Sequence, residues 1–323
     1  MGAVDPRTHQ IQNRICFVLR TICAFGTILL AGSFSRTIVS QEPIRVLVWD
    51  EQQPSQKEAY ENFLGNEIAK HLQSKPGLQV RTASIDDGEQ GLSPALLDFA
   101  QVIVWWGHVR HPEIKSELGL DIVRRVRSGQ CNLVAVHSAH WSTPFMEAMN
   151  EITRVQLREE LRKRGLENTN IVEIPADRFK APARDAKITP YWEFESVSSD
   201  DSKKQRSLKL YLPNCCFPAY RNDGQPSFLQ VLKPEHPLAK DLPRTFSLPR
   251  TEMYDEPFHV PAPNEVILQE RWKGGEEFRS VMLWKLGKGS IIYVRPGHET
   301  YPIYKDTNML QLIENAVRYP NKD

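Results

Sequence analysis

Short apolar runs alternate with longer stretches of helical spacing through the first half of the chain. Residues 44–49, 78–83, 100–106 and 132–137 read as strands, and 100–106 is so uniformly apolar that it predicts a strand covered on both faces. Between them, 58–72 carries apolar residues at Ala59, Phe63, Ile68, Ala69 and Leu72 and runs out at Pro76-Gly77. Residues 113–128 form a basic amphipathic pattern closed by Gly129, and 143–152 also reads as helix. After a long interruption, strands are expected at 266–272, 280–286 and 291–294, the last two joined by a hairpin at Gly287-Lys288-Gly289. A helix at 307–319, with Leu310, Ile313, Ala316 and Val317 on one face, closes the pattern. Strands alternating with helices at this spacing predict a doubly wound, mostly parallel α/β sheet with helices on both faces.

The interruption, 154–227, is rich in Arg, Lys, Glu, Asp and Ser and is broken by Pro175, Pro182 and Pro190. It reads as a surface insertion of a small helix and two strands, with a solvated charged face. The amino terminus differs in kind. Arg14 and Arg20 flank a first apolar run, and a second ends at Leu30-Ala31-Gly32-Ser33, which reads as an export signal over residues 1–40. The second run is short of the roughly 20 apolar residues a span requires; an uncleaved anchor over 15–35 is the alternative. Residues 41–323 are then a single domain. The expected location is periplasmic or secreted.

A formal net charge of +1 gives no basic surface for nucleic acid. Cys131 sits in an apolar strand, and Cys215 and Cys216 are adjacent, too close in sequence to bond without strain. Neither a disulfide framework nor a cysteine zinc site is visible.

The candidate chemistry lies at strand ends, where open α/β sheets bind their ligands. His108 follows the third expected strand, His137 and His140 the fourth, and Arg295-Pro296-Gly297-His298-Glu299 the last. An acidic, aromatic loop, Glu252-Met253-Tyr254-Asp255-Glu256-Pro257-Phe258, lies between. Imidazole beside carboxylate suits proton transfer near neutral pH. It also suits zinc, which takes nitrogen and oxygen donors.

Five ordered motifs carry a family resemblance. Trp106-Gly107-His108, His137-Ser138-Ala139-His140, the 252–258 loop, Gly274-Gly275-Glu276-Glu277-Phe278-Arg279-Ser280 and Arg295-Pro296-Gly297-His298-Glu299-Thr300-Tyr301-Pro302 resemble the ThuA (trehalose-utilisation) family over about 44–153 and 234–320. The resemblance implies a flavodoxin-like fold similar to class I glutamine amidotransferases. It implies a role in breaking down trehalose or related disaccharides, beside sugar dehydrogenases that make 3-keto-glycosides. The turn that carries the nucleophilic cysteine in the amidotransferases carries His137-Ser138 here, which excludes glutamine hydrolysis through a thioester. Ser138 lacks the glycines of a strained nucleophile elbow.

Taken together, the catalytic candidates are His108, His137, His298, Glu299 and Glu256, the last two as orienting carboxylates. Trp106, His140, Glu252, Tyr254, Arg295 and Tyr301 are expected to contact a sugar. His108, His298 and Glu252 could ligate one divalent metal, zinc by preference; no nucleotide cofactor is expected. Glu277 and Arg279 are expected to pair. The expected partners are a small-molecule sugar and a pathway dehydrogenase, with no nucleic acid and with self-association open. The alternative function is a non-catalytic carbohydrate-binding protein.

Overall fold

The structure, a computed structural model, describes residues 42–195 and 207–320. The expected export signal and the alternative anchor lie outside the described residues. No helix among those described is long and apolar enough to cross a membrane.

In chain order the strands are β1 (Ile44–Asp50), β2 (Leu78–Ser84), β3 (Val102–Trp106), β4 (Asn132–Val136), β5 (Asn170–Ile174), β6 (Tyr191–Phe194), β7 (Ser207–Tyr211), β8 (Ala219–Arg221), β9 (Ser227–Val231), β10 (Thr245–Leu248), β11 (Met253–Asp255), β12 (Glu265–Trp272), β13 (Glu277–Leu286) and β14 (Gly289–Val294). The helices are α1 (Leu64–Gln73), α2 (Pro94–Phe99), α3 (Ser116–Ser128), α4 (Thr143–Lys163) and α5 (Thr307–Arg318). The main sheet runs β10-β9-β12-β13-β14-β4-β3-β1-β2. Its segment β2-β1-β3-β4-β14 is parallel throughout, the flavodoxin-like order, and β13, β12, β9 and β10 extend it antiparallel.

The parallel strands are apolar on both sides because both sides are covered. Val46, Val48, Val102 and Val104 face α1 and α5, packing with Leu64, Ile68, Leu312 and Ile313. Leu47, Trp49, Ile103 and Trp105 face α2, α3 and α4, with Leu97, Ile122 and Phe145. Trp49 and Trp105, paired across β1 and β3, stack at 3.9 Å. Every parallel strand therefore delivers its carboxyl end to one edge, and the first such end lies at the β1/β3 crevice where the strand order reverses.

Two expectations are corrected. Helix α1 starts at Leu64, six residues later than the apolar spacing suggested, because Gln56 and Asp50 accept the Leu64 and Gly65 amides and hold 54–58 as a separate short turn. Helix α4 does not stop near Ile152. It runs to Lys163, and its Leu157 and Leu161 bury against Leu208 and Leu210 of the three-stranded sheet β5-β7-β6. Each such leucine contributes about 1.5–3 kcal/mol. The insertion is thus a sheet docked on an extended helix. Its charges, such as Arg154 with Glu173, stay on the outer surface.

Candidate functional site

Strand β4 ends in a strained turn. His137 takes φ +55°, a left-handed conformation unusual for a residue with a side chain, and a 3-10 turn follows over His137–Trp141. The left-handed residue is His137 and not Ser138, so the turn carries an imidazole at its tip. The glycine that accommodates it comes from elsewhere: a Cβ on Gly297 (φ +154°) would sit 3.0 Å from the His137 Cβ and 3.1 Å from the Tyr304 hydroxyl. Gly297→Ala is expected to cost about 1–3 kcal/mol, read as a lower urea midpoint, and to displace His137.

His137 is held from three sides. Its Nδ1–H donates to the Arg295 carbonyl at 2.9 Å, and its own carbonyl accepts the Tyr293 hydroxyl at 2.8 Å. That leaves Nε2 facing the Tyr254 hydroxyl at 3.3 Å and Glu252 Oε2 at 3.1 Å. His137 Nε2 thus joins the tyrosine hydroxyl and the carboxylate in one buried contact. Burial alone would raise the Glu252 carboxyl, but the hydrogen bond from His137 and the nearby imidazoles bring it below its ordinary value.

The other two imidazoles differ sharply from each other. His298 Nδ1 accepts from the Thr300 amide at 3.2 Å and from its hydroxyl at 3.0 Å, so the neutral ring carries its proton on Nε2. Burial, reinforced by His137, pushes His298 down to about 4. It is a neutral hydrogen-bond donor at physiological pH. His108 is about one-third exposed, and its Nδ1 meets Glu299 Oε1 at 3.1 Å. Partial burial works against its charge, but Glu299 outweighs that and holds His108 above its ordinary value. Glu299 in turn falls to about 2 despite burial, chiefly through His108, and its buried Oε2 has no hydrogen-bond partner among the described residues, with His298 Nδ1 at 3.7 Å. The His298 ring lies 6.0 Å from that of His108 and 5.6 Å from that of His137, centroid to centroid.

Glu51, at the end of β1, fixes the His108 loop. Its buried carboxylate accepts the His108 amide at 2.7 Å, the Val109 amide at 3.1 Å and Gln53 Nε2 at 2.9 Å. Of these groups, His108 and Glu252 border a cavity of about 110 Å³. His108, Ser138 and Glu252 form its polar side, Trp141, Phe217 and Tyr254 its aromatic side, and Tyr220 stands among its lining residues. Cys216 also lines it. Burial pushes that thiol up to about 12, so it is not a thiolate nucleophile.

Several expected contacts are corrected. Trp106 is 1% exposed and offers no face to a sugar; its Nε1–H holds the Gly297 carbonyl at 2.8 Å. Glu256 does not orient an imidazole. It takes Arg279 Nε and Nη2 at 2.8 and 3.0 Å and the Arg279 amide, so Arg279 pairs with Glu256 rather than Glu277. Arg295 is fully buried and pairs with Glu270, while also donating to Thr251 Oγ1 and the Glu252 carbonyl. Its guanidinium braces the Glu252 backbone. His140 lines the cavity but is nine-tenths or more enclosed, bonded through Nδ1 to the Cys215 carbonyl at 2.7 Å, and burial keeps it neutral. Tyr301 lies tilted beside His298, ring centroids 5.0 Å apart, and its hydroxyl donates to Asn222 Oδ1. The Nδ1 atoms of His108 and His298 face Glu299 and Thr300, and Glu252 Oε2 faces His137. No cluster of three or more His, Cys, Asp or Glu able to hold a metal occurs among the described residues.

Cys216, Phe217 and Tyr220 come from the stretch assigned to a solvated insertion. Their signal was the uncharged run Leu212-Pro213-Asn214-Cys215-Cys216-Phe217-Pro218-Ala219-Tyr220, whose composition suits a buried wall better than a surface loop.

Fold and site together define a flavodoxin-like α/β protein whose strand-end elbow presents an imidazole instead of a thiol. The chain belongs to the ThuA family, described by trehalose utilisation, whose model matches residues 45–320. That membership places it in carbohydrate metabolism. Among solved structures it is similar to a ThuA-like protein from Parabacteroides merdae, at 16% identity and a TM-score of 0.54 over 87% of this chain and 92% of that one. A ThuA-like protein from Bacteroides uniformis is similar at 15% identity and a TM-score of 0.49, over 86% and 92%. No curated protein matches.

Proposed function

We propose that the protein acts on a 3-keto-glycoside related to trehalose by acid–base enolisation. The observation that carries this reading is the division of labour among closely spaced groups: an ionised Glu252 and a charge-stabilised His108 on one ring-sized cavity, with the neutral donor His298 packed against His108. Glu252 takes the proton from the carbon next to the ketone. The C–H electron pair becomes the new C=C bond, and the carbonyl electrons move to oxygen. That oxygen is met by His298 Nε2–H and receives a proton from His108. His137 Nε2 holds Glu252 Oε2 in place. Returning a proton to carbon gives an isomer, and loss of the glycosidic oxygen β to the carbonyl gives elimination. Imidazole and carboxylate suffice for these steps.

Such a substrate requires a dehydrogenase that oxidises a ring hydroxyl, and we propose that residues 1–40 export the protein to meet it. Product analysis by NMR with 3-keto-trehalose, and trehalose as control, tests the reading. Turnover of the keto-sugar alone supports it; binding without turnover would instead favour the carbohydrate-binding alternative, which the aromatic wall also suits.

The pH profile of kcat/KM should be bell-shaped. Its acid limb, where Glu252 ionises, lies below that residue's ordinary 4.5, and its alkaline limb, where His108 loses its proton, lies above 6.5. Glu299→Gln removes the carboxylate that keeps His108 charged, so the alkaline limb should move to lower pH. An unmoved limb would rule out His108 as the acid.

A further inference from the structure

The cavity is small. At about 10–15 Å³ per water-sized group, 110 Å³ holds one pyranose ring and not two. The second ring of a disaccharide must therefore lie outside, against whatever the rim presents. At the rim stands Tyr220, part of the cavity lining and yet 64% exposed, the most exposed large apolar side chain among the described residues.

Its placement is fixed by the sheet. Strand β8 pairs antiparallel with β11 so that Tyr220 lies directly opposite Tyr254. Opposite residues project from the same face of a ribbon, so the two side chains leave it on the same side. Tyr254 turns inward, stacked on His137 and on Phe217. Among the described residues no ring stacks on Tyr220. The strand beneath it is tied down on both sides of the site: Arg221 binds Asp223 and Glu276, and Asn222 accepts the Tyr301 hydroxyl beside His298. An exposed aromatic on a rigid strand next to a polar cavity is a ready surface for the apolar face of a sugar.

We propose that Tyr220 is the stacking platform for the second ring of the substrate, and so selects two-ring glycosides over single-ring ones. This rests on the reading of the cavity as a keto-glycoside site. Tyr220 takes no part in proton transfer, so its effect should appear in KM and not in kcat.

The test compares 3-keto-trehalose with methyl 3-keto-α-glucoside on wild type, Tyr220→Ala and Tyr220→Phe, measuring KM, kcat and the dissociation constant. Tyr220→Ala should weaken the two-ring ligand about tenfold and change the one-ring ligand by less than about twofold, with kcat unchanged; Tyr220→Phe should match wild type. Equal effects on both ligands, or none on either, would overturn the proposal while leaving the site reading intact. If wild type binds neither sugar, the site reading itself fails and this inference falls with it.

Discussion

His298→Ala should lower turnover of a 3-keto-glycoside by about 10²–10⁴-fold while leaving affinity within a few-fold of wild type. The size follows from what the ring supplies. Thr300 locks its tautomer from both amide and hydroxyl, and burial keeps it neutral, so Nε2 carries its proton before the reaction begins. Such a donor gains strength as charge builds on the carbonyl oxygen, which raises kcat and not ground-state affinity. Calorimetry and steady-state kinetics on the same preparation separate the two. Affinity lost with kcat unchanged would make His298 a binding group only.

The second large effect is on stability. Arg295 and Glu270 are both fully buried and paired, with Glu270 Oε2 taking the Ser280 hydroxyl at 2.9 Å. Glu270→Ala strands a guanidinium in the core, which typically costs about 3–5 kcal/mol and lowers Tm by roughly 10 °C in a domain of this size. Activity should fall further than unfolding explains. The Arg295 side chain holds the Glu252 carbonyl, and its backbone carbonyl holds His137 Nδ1. Arg295→Met combined with Glu270→Leu should regain most of the stability but not the activity, because replacing both charges removes the stranded one and leaves Glu252 unbraced. Urea midpoints for the single and double variants decide this; an unchanged midpoint in Glu270→Ala would contradict it.

The parallel half of the sheet was legible because burial on both faces leaves a plain trace, as in Val46–Trp49 and Val102–Trp106. The convergence of His108, His137 and His298 followed from strand ends sharing an edge. Other features depend on distant partners. Nothing local distinguishes Glu252 from Glu256, four residues on in the same loop; Arg279 on β13 claims one and His137 the other. Arg295 beside His298 reads as an anion binder until Glu270 on β12 is placed against it. The length of α4 was in the sequence, since Ile152, Leu157 and Leu161 keep a helical stripe, but the density of charge around them masked it. Strands β9 and β10 were missed because each is short and near an edge, where alternation such as Ser227-Phe228-Leu229-Gln230-Val231 leaves half the residues exposed.

Solvent exchange at the substrate carbon tests the proposed chemistry most directly. Incubated with 3-keto-trehalose in deuterated buffer, the wild-type protein should place deuterium on a carbon next to the ketone, followed by NMR, whatever product is finally released. Glu252→Gln, which keeps the shape of the side chain but cannot accept the proton, should slow that uptake by at least about a hundredfold. No uptake with wild type, or equal uptake with Glu252→Gln, would contradict enolisation at this site.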